Sequence, residues 1–257
     1  MTDLRALQAS YDDLAADYER LFPDWRESSR RQGAALDRLI SAELGPGPRT
    51  VLDAAAGIGT QALALAELGH RVAATDLSGA ALRRAASKDT SGRRLAGVAV
   101  ADMRRLPIAD ASVDVVVCAD NSLPHLLTAA DVVAALRAMR RVTVPGGLVL
   151  VSTRDYDVLR RDRPAATPVQ VSRAGDRRTA TFQLWTWHDD GERYDYEHLM
   201  LTGDGTDDWR VGRRTGTYWA LTRAELSALA SDAGLVGVRW VLPAESGFFQ
   251  PLLLART

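Results

Sequence analysis

Short apolar runs alternate with helical patterns through most of this chain, and this alternation limits the fold more than any other feature. It predicts an α/β fold with a mostly parallel, doubly wound sheet of seven strands and helices on both faces. The predicted strands are residues 50–54, 72–75, 97–100, 113–118, 148–153, 236–242 and 248–255. The predicted helices are residues 60–68, 79–86, 131–142 and 222–233.

Two segments depart from this rhythm. Residues 11–40 keep a helical spacing that breaks at residues 22–24, which predicts two helices forming a cap or lid. Residues 169–218 alternate apolar and polar side chains, which predicts antiparallel strands inserted late in the fold. At 257 residues and 46% hydrophobic content, the chain fits one domain. Its expected parts are a helical cap at 1–48, a core at 49–155 and 220–257, and an inserted β segment at 156–219.

Charge and cysteine content exclude several classes of protein. Acidic and basic residues number 33 and 32, so no overall field would gather nucleic acid or an anionic membrane. Cys118 is the one cysteine, which excludes an internal disulfide and a paired-cysteine metal site. The first ten residues lack the pattern of a signal peptide, and no apolar run is long enough to span a bilayer. We therefore expect a cytoplasmic protein that acts on a small molecule and holds no metal.

Residues 51–60 read as a strand, a glycine turn and the start of a helix. Gly57 and Gly59 would let the backbone approach a ligand and direct free N–H groups into a crevice. Dinucleotide-binding folds use the same device, and a plain strand-to-helix turn also stays open for the glycines alone. Asp76 then ends the second predicted strand about 20 residues later, where a carboxylate would accept both ribose hydroxyls. Ser78 is the better candidate for capping the next helix, so a nucleoside-bearing cofactor is favoured.

Two residues distinguish S-adenosylmethionine from a nicotinamide cofactor. Ala62 replaces the third glycine of the dinucleotide pattern. Asp53 lies just ahead of the glycine turn, where its charge would repel a pyrophosphate but suits a cationic methionine moiety. The sequence therefore predicts S-adenosylmethionine as the cofactor.

Five motifs in order resemble those of class I S-adenosylmethionine-dependent methyltransferases, whose fold is Rossmann-like. The motifs are residues 51–60, Asp76, residues 100–103, residues 114–118 and residues 144–147. The resemblance implies that Asp102 and Met103 flank the adenine and that the glycines at 146–147 have a structural role. By position, it implies cofactor contacts at Asp53, Ala54, Gly57, Gly59, Thr60, Asp76, Leu77, Asp102, Met103 and Ala119.

Three further stretches are similar to the glycine and sarcosine N-methyltransferase group: Arg30 with Arg31, residues 120–126, and residues 154–157. The similarity implies that Arg31, rather than Arg30, pairs with the cofactor carboxylate. It also implies that Asn121, Arg154 and Tyr156 bind the substrate, with Arg154 holding a substrate carboxylate. A guanidinium matches a carboxylate with two parallel hydrogen bonds. The alternatives are a solvated helix face for Arg30 and Arg31, and a surface ion pair with Asp155 or Asp157 for Arg154.

Methyl transfer from a sulfonium is an in-line displacement, so alignment and exclusion of water are the main requirements. His125 is the candidate base because histidine titrates near neutrality, although a packing role stays open. Asp120 is a second catalytic candidate that would bind an amine electrostatically.

Aromatic side chains are candidates for both parts of the site. Tyr18 and Trp25, with Tyr11, would line the sulfonium or close the lid, or else pack helices. Four others would wall an acceptor pocket or pack across strands: Trp185, Trp187, Tyr194 and Tyr196.

The preferred function is N-methylation of a small amine or amino-acid-like acceptor that bears a carboxylate. One alternative is an O- or C-methyltransferase of a secondary metabolite, which would share the cofactor site and differ in the acceptor pocket. Another is a non-catalytic protein that binds S-adenosylmethionine. A nucleic-acid methyltransferase is disfavoured because the chain has no basic stripe. The expected partner is the methyl acceptor, with neither nucleic acid nor membrane, and a homo-oligomer is compatible with the sequence.

Overall fold

The computed structural model describes residues 4–89, 95–203, 205 and 208–257, and it contains two sheets. The seven-stranded sheet consists of β1 (Thr50–Asp53), β2 (Arg71–Asp76), β3 (Leu95–Val100), β4 (Val113–Cys118), β5 (Thr143–Ser152), β10 (Val236–Val241) and β11 (Leu252–Arg256). The four-stranded sheet consists of β6 (Gln170–Ala174), β7 (Arg177–Trp187), β8 (Arg193–Gly203) and β9 (Trp209–Trp219). Both sheets were predicted, and the fold class is confirmed.

The larger sheet has the order β10-β11-β5-β4-β1-β2-β3. Neighbouring strands from β5 to β3 run parallel, and β11 runs antiparallel to both β5 and β10. The chain builds outward from β1 to β3, then returns to place β4 and β5 on the other side of β1. The carboxyl ends of β1 and β4 therefore diverge at a topological switch point, where open α/β sheets bind ligands.

Eight α-helices connect these strands in the described part of the chain. They are α1 (Leu4–Leu14), α2 (Trp25–Leu44), α3 (Thr60–Glu67), α4 (Gly79–Lys88), α5 (Ala129–Val142), α6 (Tyr156–Asp162), α7 (Arg223–Asp232) and α8 (Pro243–Ser246). Ser78 caps α4 as expected, because its hydroxyl accepts a hydrogen bond from the N–H of Ala81. Within these residues, no helix is both long enough and apolar enough to cross a bilayer.

Apolar side chains cover both faces of the larger sheet. On one face, Val132 and Leu136 of α5 pack with Leu226 of α7 against the sheet. On the other, Leu36 of α2 and Leu65 of α3 are fully buried in a second cluster. The two helix layers explain why β4 and the second half of β5 consist of nearly continuous apolar residues.

The N-terminal cap and the inserted segment differ in detail from the sequence-based expectation. The first helix ends at Leu14, and a 3-10 turn at Tyr18–Leu21 precedes α2, so the break is longer than residues 22–24. The inserted segment begins with α6 before its strands. Residues 1–3 of the predicted cap lie outside the described residues.

The four-stranded sheet buries an aromatic cluster on one face. Tyr194 and Tyr196 of β8 pack with Trp185 of β7, Tyr218 of β9 and Tyr156 of α6. Period-two alternation sets this face, because every second residue of each strand points the same way. The packing interpretation therefore holds for Trp185 and Tyr194, which are buried in this cluster.

Candidate active site

A cavity opens at the carboxyl edge of the larger sheet, over the switch point between β1 and β4. Helix α1 closes it from above with Leu4, Leu7 and Tyr11. The strand ends contribute most of the remaining wall: Ala54, Ala55, Ala56, Gly57, Asp76, Leu77, Ala101, Asp102, Met103 and Asp120. We call this space the cofactor cavity, because most of the residues expected to bind a cofactor line it.

The glycine turn after β1 depends on left-handed backbone. Gly57 has φ +53° and Gly59 has φ +89°, conformations that favour glycine. Gly59 precedes α3, and a Cβ there would lie 2.9 Å from the Leu63 side chain. Gly57 lines the cofactor cavity, whereas Gly59 shapes the turn behind it.

Asp76 is held by two backbone N–H groups. Gly57 donates to its Oδ2 and Ser78 donates to its Oδ1, each over 2.8 Å. Burial outweighs these hydrogen bonds and raises the pKa of Asp76. Each carboxylate oxygen retains a further lone pair, so this carboxylate can accept the two hydroxyls of a ribose.

Asp53 lies directly behind the cavity wall and is fully buried. Its Oδ1 accepts a hydrogen bond from the N–H of Ala55 over 3.3 Å, and its Oδ2 has no partner among the described residues. Burial, assisted by the nearby charge of Asp76, raises the pKa of Asp53 to about 7. An unsatisfied buried acceptor at this place fits a cationic ligand group, as the methionine moiety of S-adenosylmethionine would supply.

Asp102 and Met103 line the cavity after β3. Arg104 donates to both carboxylate oxygens of Asp102, with Nε–Oδ2 at 3.0 Å and Nη2–Oδ2 at 2.7 Å. Burial opposes the charged form, but the hydrogen bonds from Arg104 hold the pKa of Asp102 below its ordinary value. The cavity therefore offers an ionised carboxylate beside an apolar side chain, which suits an adenine with its exocyclic amine.

A second and larger cavity of about 870 Å³ lies beside the first. Its walls come from the N-terminal cap, the loops after β4 and β5, and one face of the four-stranded sheet. Asn121 and Arg154, the two residues predicted to bind the substrate, both line it. We call it the acceptor cavity.

Tyr11, Tyr18 and Asp120 line both cavities, and therefore mark where the two meet. Asp120 has φ +55° and Asn121 has φ +63°, so two consecutive non-glycine residues adopt left-handed backbone. The Oγ of Ser152 accepts a hydrogen bond from the N–H of Asp120 over 2.8 Å, which ties this turn to the end of β5. Burial raises the pKa of Asp120, while a hydrogen bond from Tyr18 and the charge of Arg154 oppose that rise.

Arg154 is enclosed by polar and aromatic side chains. Its Nη1 donates to the Tyr194 hydroxyl over 2.8 Å, and its Nη2 donates to Oε1 of Gln183 over 3.1 Å. The guanidinium carbon lies 4.9 Å from the ring centroid of Trp185 and 5.3 Å from that of Tyr218. The surface ion pair with Asp155 or Asp157 does not form, because Arg223 takes both carboxylates instead.

His125 lines the cofactor cavity but does not have the properties expected of a base. Its Nε2 lies 2.7 Å from the Tyr11 hydroxyl. Burial, reinforced by the charge of Arg154, lowers the pKa of His125 to about 3. An imidazole with that pKa stays neutral and is a weak proton acceptor near pH 7, so the structure argues against His125 as the base.

Neither cavity is lined by Arg31, by the less favoured Arg30 or by Tyr156. Arg31 is largely exposed and pairs with Glu27, as does Arg30, because both point outward from α2. Tyr156 is fully buried, and its hydroxyl lies 3.4 Å from that of Tyr194, because α6 starts there and turns the ring into the aromatic cluster. The ligand contacts of Arg31 and Tyr156 therefore remain predictions, and neither side chain faces a cavity in this structure.

Trp25 and Ala119 support the cofactor cavity from outside. The indole N–H of Trp25 donates to Oγ1 of Thr60 over 3.0 Å, and Thr60 does line the cavity. The ammonium of Lys88 lies 4.2 Å from the Trp25 ring centroid. Ala119 is buried at the end of β4.

Sequence reasoning missed several polar residues of the site. Gln61 lines the cofactor cavity, and its amide donates to Oε1 of Gln32 over 2.6 Å. His198 and Arg214 line the acceptor cavity. The period-two pattern could have found His198, because it shares a strand face with Tyr194 and Tyr196.

Comparisons with known proteins agree with this geometry. Residues 51–147 match the family described as a methyltransferase domain. The chain is 31% identical over 153 residues to glycine/sarcosine N-methyltransferase of Parasynechococcus marenigrum, an alignment that covers 59% of this chain and 53% of that protein. The chain thus spans about half the length of that relative.

A longer alignment joins the chain to malonyl-(acyl-carrier protein) O-methyltransferase of Laribacter hongkongensis. The identity is 30% over 245 residues, which cover 92% of this chain and 74% of that protein. The solved structure of S-adenosylmethionine-bound CalS10, an amino pentose methyltransferase from Micromonospora echinaspora, has the same fold. Its TM-score is 0.72 at 22% identity, with 94% of this chain and 95% of that chain covered. This chain belongs to the family of S-adenosylmethionine-dependent methyltransferases, and S-adenosylmethionine is its cofactor.

Proposed function

We propose that this chain methylates the nitrogen of a small-molecule amine that also carries an acidic group. The position of Asp120 carries the proposal, because this residue lines both the cofactor cavity and the acceptor cavity. A carboxylate at this junction attracts a protonated amine to the place where the methyl group must be transferred. Family membership supports methyl transfer, and the acceptor atom is our inference from the charge at the junction.

Asp120 has a chemical task besides binding. An amine attacks only through a free lone pair, so the ammonium form must first lose a proton. A buried carboxylate whose pKa is raised holds a proton more tightly than an exposed aspartate does. Asp120 therefore takes the proton from the acceptor nitrogen, and the freed lone pair forms the new bond to carbon. The bound cofactor supplies an activated methyl group, whose bonding electrons stay on the departing sulfur.

Arg154 selects an acidic group on the same acceptor. Its guanidinium uses two N–H groups on Tyr194 and Gln183, and its other three have no partner among the described residues. Because the side chain lines the acceptor cavity, these donors suit a carboxylate. The stacking of Arg154 on Trp185 and Tyr218 fixes the guanidinium plane, which lowers the entropy lost on binding.

An O-methyltransferase is the second candidate, because the relative with the 245-residue alignment is named as one. The negative charge of Asp120 disfavours an acceptor that must approach as an anion, but it could deprotonate a hydroxyl. The two candidate functions differ in the atom that receives the methyl group. A panel of acceptors matched in structure, with either an amine or a hydroxyl, therefore distinguishes them.

The test is a labelled-methyl assay on paired acceptors that differ only in amine against hydroxyl, each with and without a carboxylate. We expect label in the amines, most rapidly in those with a carboxylate, and little in any acceptor with Asp120→Asn. Label in the hydroxyl partner would overturn N-methylation. Binding of S-adenosylhomocysteine without any transfer would instead indicate a non-catalytic protein.

A further inference from the structure

A row of polar side chains crosses the face of the four-stranded sheet that lines the acceptor cavity. Gln183 of β7 pairs in register with His198 of β8, and His198 pairs with Arg214 of β9. All three residues line the cavity. None of them lines the cofactor cavity, so their ligand belongs to the acceptor side.

Arg214 has donors that the described residues leave unused. Its Nη2 donates to the carbonyl oxygen of Asp13 over 3.2 Å. Its Nε and Nη1 are shielded from solvent and have no hydrogen-bond partner within the described part of the chain. Burying charged donors without partners costs free energy, which a ligand with acceptor oxygens would recover. The neighbouring Arg213 faces the other side of β9 and pairs with Glu197 at the surface.

The charges around the row favour an anion. Arg154 and Arg214 are the two arginines of the cavity lining, and its two carboxylates are Asp120 and Asp155. Asp155 is paired with Arg223, and Asp120 is committed to the amine by the proposed function. Arg214 is therefore the positive charge in this lining that the proposed chemistry leaves without an assigned partner.

The cavity is also large for a simple amino acid. Its volume of about 870 Å³ lies near the upper end of the roughly 300–1,000 Å³ found for small-molecule sites. Glycine or sarcosine would leave most of this space filled with water. An acceptor that fills it must extend beyond the groups that contact Asp120 and Arg154.

We propose that Arg214, flanked by His198 and Gln183, forms a second oxyanion subsite that binds a carboxylate or phosphate on an acceptor larger than a free amino acid. The inference rests on the proposed function in taking the large cavity as the acceptor site. Arg214 supplies the charge and the paired donors. Burial together with the charges of Arg214 and Arg154 lowers the pKa of His198 to about 4, so this histidine contributes a neutral imidazole beside the anion.

The test uses inorganic phosphate and acetate as probes. Each is titrated into protein saturated with S-adenosylhomocysteine, while ¹H–¹⁵N spectra follow the arginine Nε–H signals and the His198 amide. We expect a saturable shift of the Arg214 signal. The dissociation constant read from His198 should rise at least tenfold in Arg214→Gln and stay within twofold in Arg213→Gln, the matched control. Tighter binding of phosphate than acetate would indicate a phosphate group, and the reverse a carboxylate.

Other outcomes separate the two proposals. A response confined to Arg154, or equal weakening in Arg213→Gln, would overturn the second subsite and leave the proposed function intact. An Arg214 response in a protein that methylates no amine would support the subsite and overturn the proposed function.

Discussion

The Tyr18 hydroxyl donates a hydrogen bond to Oδ2 of Asp120 over 3.2 Å, and so joins the N-terminal cap to the loop after β4. Both residues line the two cavities. The hydrogen bond stabilises the charged carboxylate and opposes the effect of burial on its pKa. The cap therefore influences the strength of the proposed proton acceptor as well as covering it.

Tyr18→Phe should move the acidic limb of the kcat/KM profile to higher pH. Asp120 accepts a proton only when ionised, so activity falls as pH drops through its pKa. Losing a hydrogen-bond donor to the carboxylate raises that pKa further, because the charged form loses stabilisation. The measurement is a pH profile with the acceptor found in the panel. Tyr11→Phe removes another cap hydroxyl and should leave the limb in place; equal shifts in both variants would contradict the assignment.

Asp76→Asn should weaken binding of S-adenosylhomocysteine. The amide retains the size of the side chain but loses the charge that accepts the ribose hydroxyls. We expect a loss of about 1.5–3 kcal/mol, roughly 10- to 150-fold in Kd, measured by isothermal titration. Asp110→Asn, at the surface beside Arg141, is the matched control and should bind normally. Unchanged affinity in Asp76→Asn would refute the ribose assignment.

Arg154→Lys should raise the KM of a carboxylate-bearing acceptor about tenfold or more. Lysine keeps the charge but loses the planar fork and its stacking on Trp185 and Tyr218. The Kd for S-adenosylhomocysteine should stay within about twofold, since Arg154 does not line the cofactor cavity. Matching losses of acceptor and cofactor affinity would mean that the arginine has a structural role.

His125→Gln should flatten the dependence of folding stability on pH. The pKa of His125 is about 3 in the folded protein, below the ordinary value near 6.5 of an unfolded chain. The contribution of His125 to the free energy of unfolding is therefore complete above about pH 6.5 and is lost as pH falls toward 3. Between pH 7 and 5 the wild type should lose about 2 kcal/mol more than the variant, measured by urea unfolding. Equal losses of unfolding free energy in the wild type and the variant would show that His125 is not buried in its neutral form.

Gly216→Ala should disturb acceptor binding. A Cβ at Gly216 would lie 2.6 Å from the Tyr196 hydroxyl oxygen and 2.7 Å from its Cζ, so the ring must move. Tyr196 lines the acceptor cavity and stacks on Tyr218 at a centroid distance of 4.7 Å. We expect a higher KM for the acceptor and a loss of about 1–3 kcal/mol in unfolding free energy. An unchanged KM would show that the ring position does not matter for binding.

The sequence predicted the cofactor side of this protein well because local pattern determines it. Asp76 ends a strand, Gly57, Asp102 and Met103 each come after one, and the carboxyl ends of parallel strands meet at one edge. Once the strands are predicted, the approximate positions of these cofactor-site residues follow.

Residues away from the strand ends could not be predicted in the same way. Arg31 was chosen by resemblance, yet its direction depends on the rotation of α2, which places Gln32 and not Arg31 at the cavity. His125 was chosen for its ordinary pKa, which burial then lowered. The position of Arg214 beside His198 depends on the register between β9 and β8, which the sequence does not reveal. Each depends on contacts between residues distant in the sequence.

The cofactor cavity and the acceptor cavity have largely separate linings, and this separation affects how the protein could acquire new substrates. The four-stranded sheet lines the acceptor cavity and contributes nothing to the cofactor cavity. Substitutions at Thr181, Gln183, His198 or Arg214 could therefore accumulate while the methyl donor is still bound normally. Changes at Tyr11, Tyr18 or Asp120 would alter cofactor binding and acceptor binding at once. Evolutionary drift in substrate preference should therefore be concentrated in β7, β8 and β9, and selection should be strictest at the three shared residues.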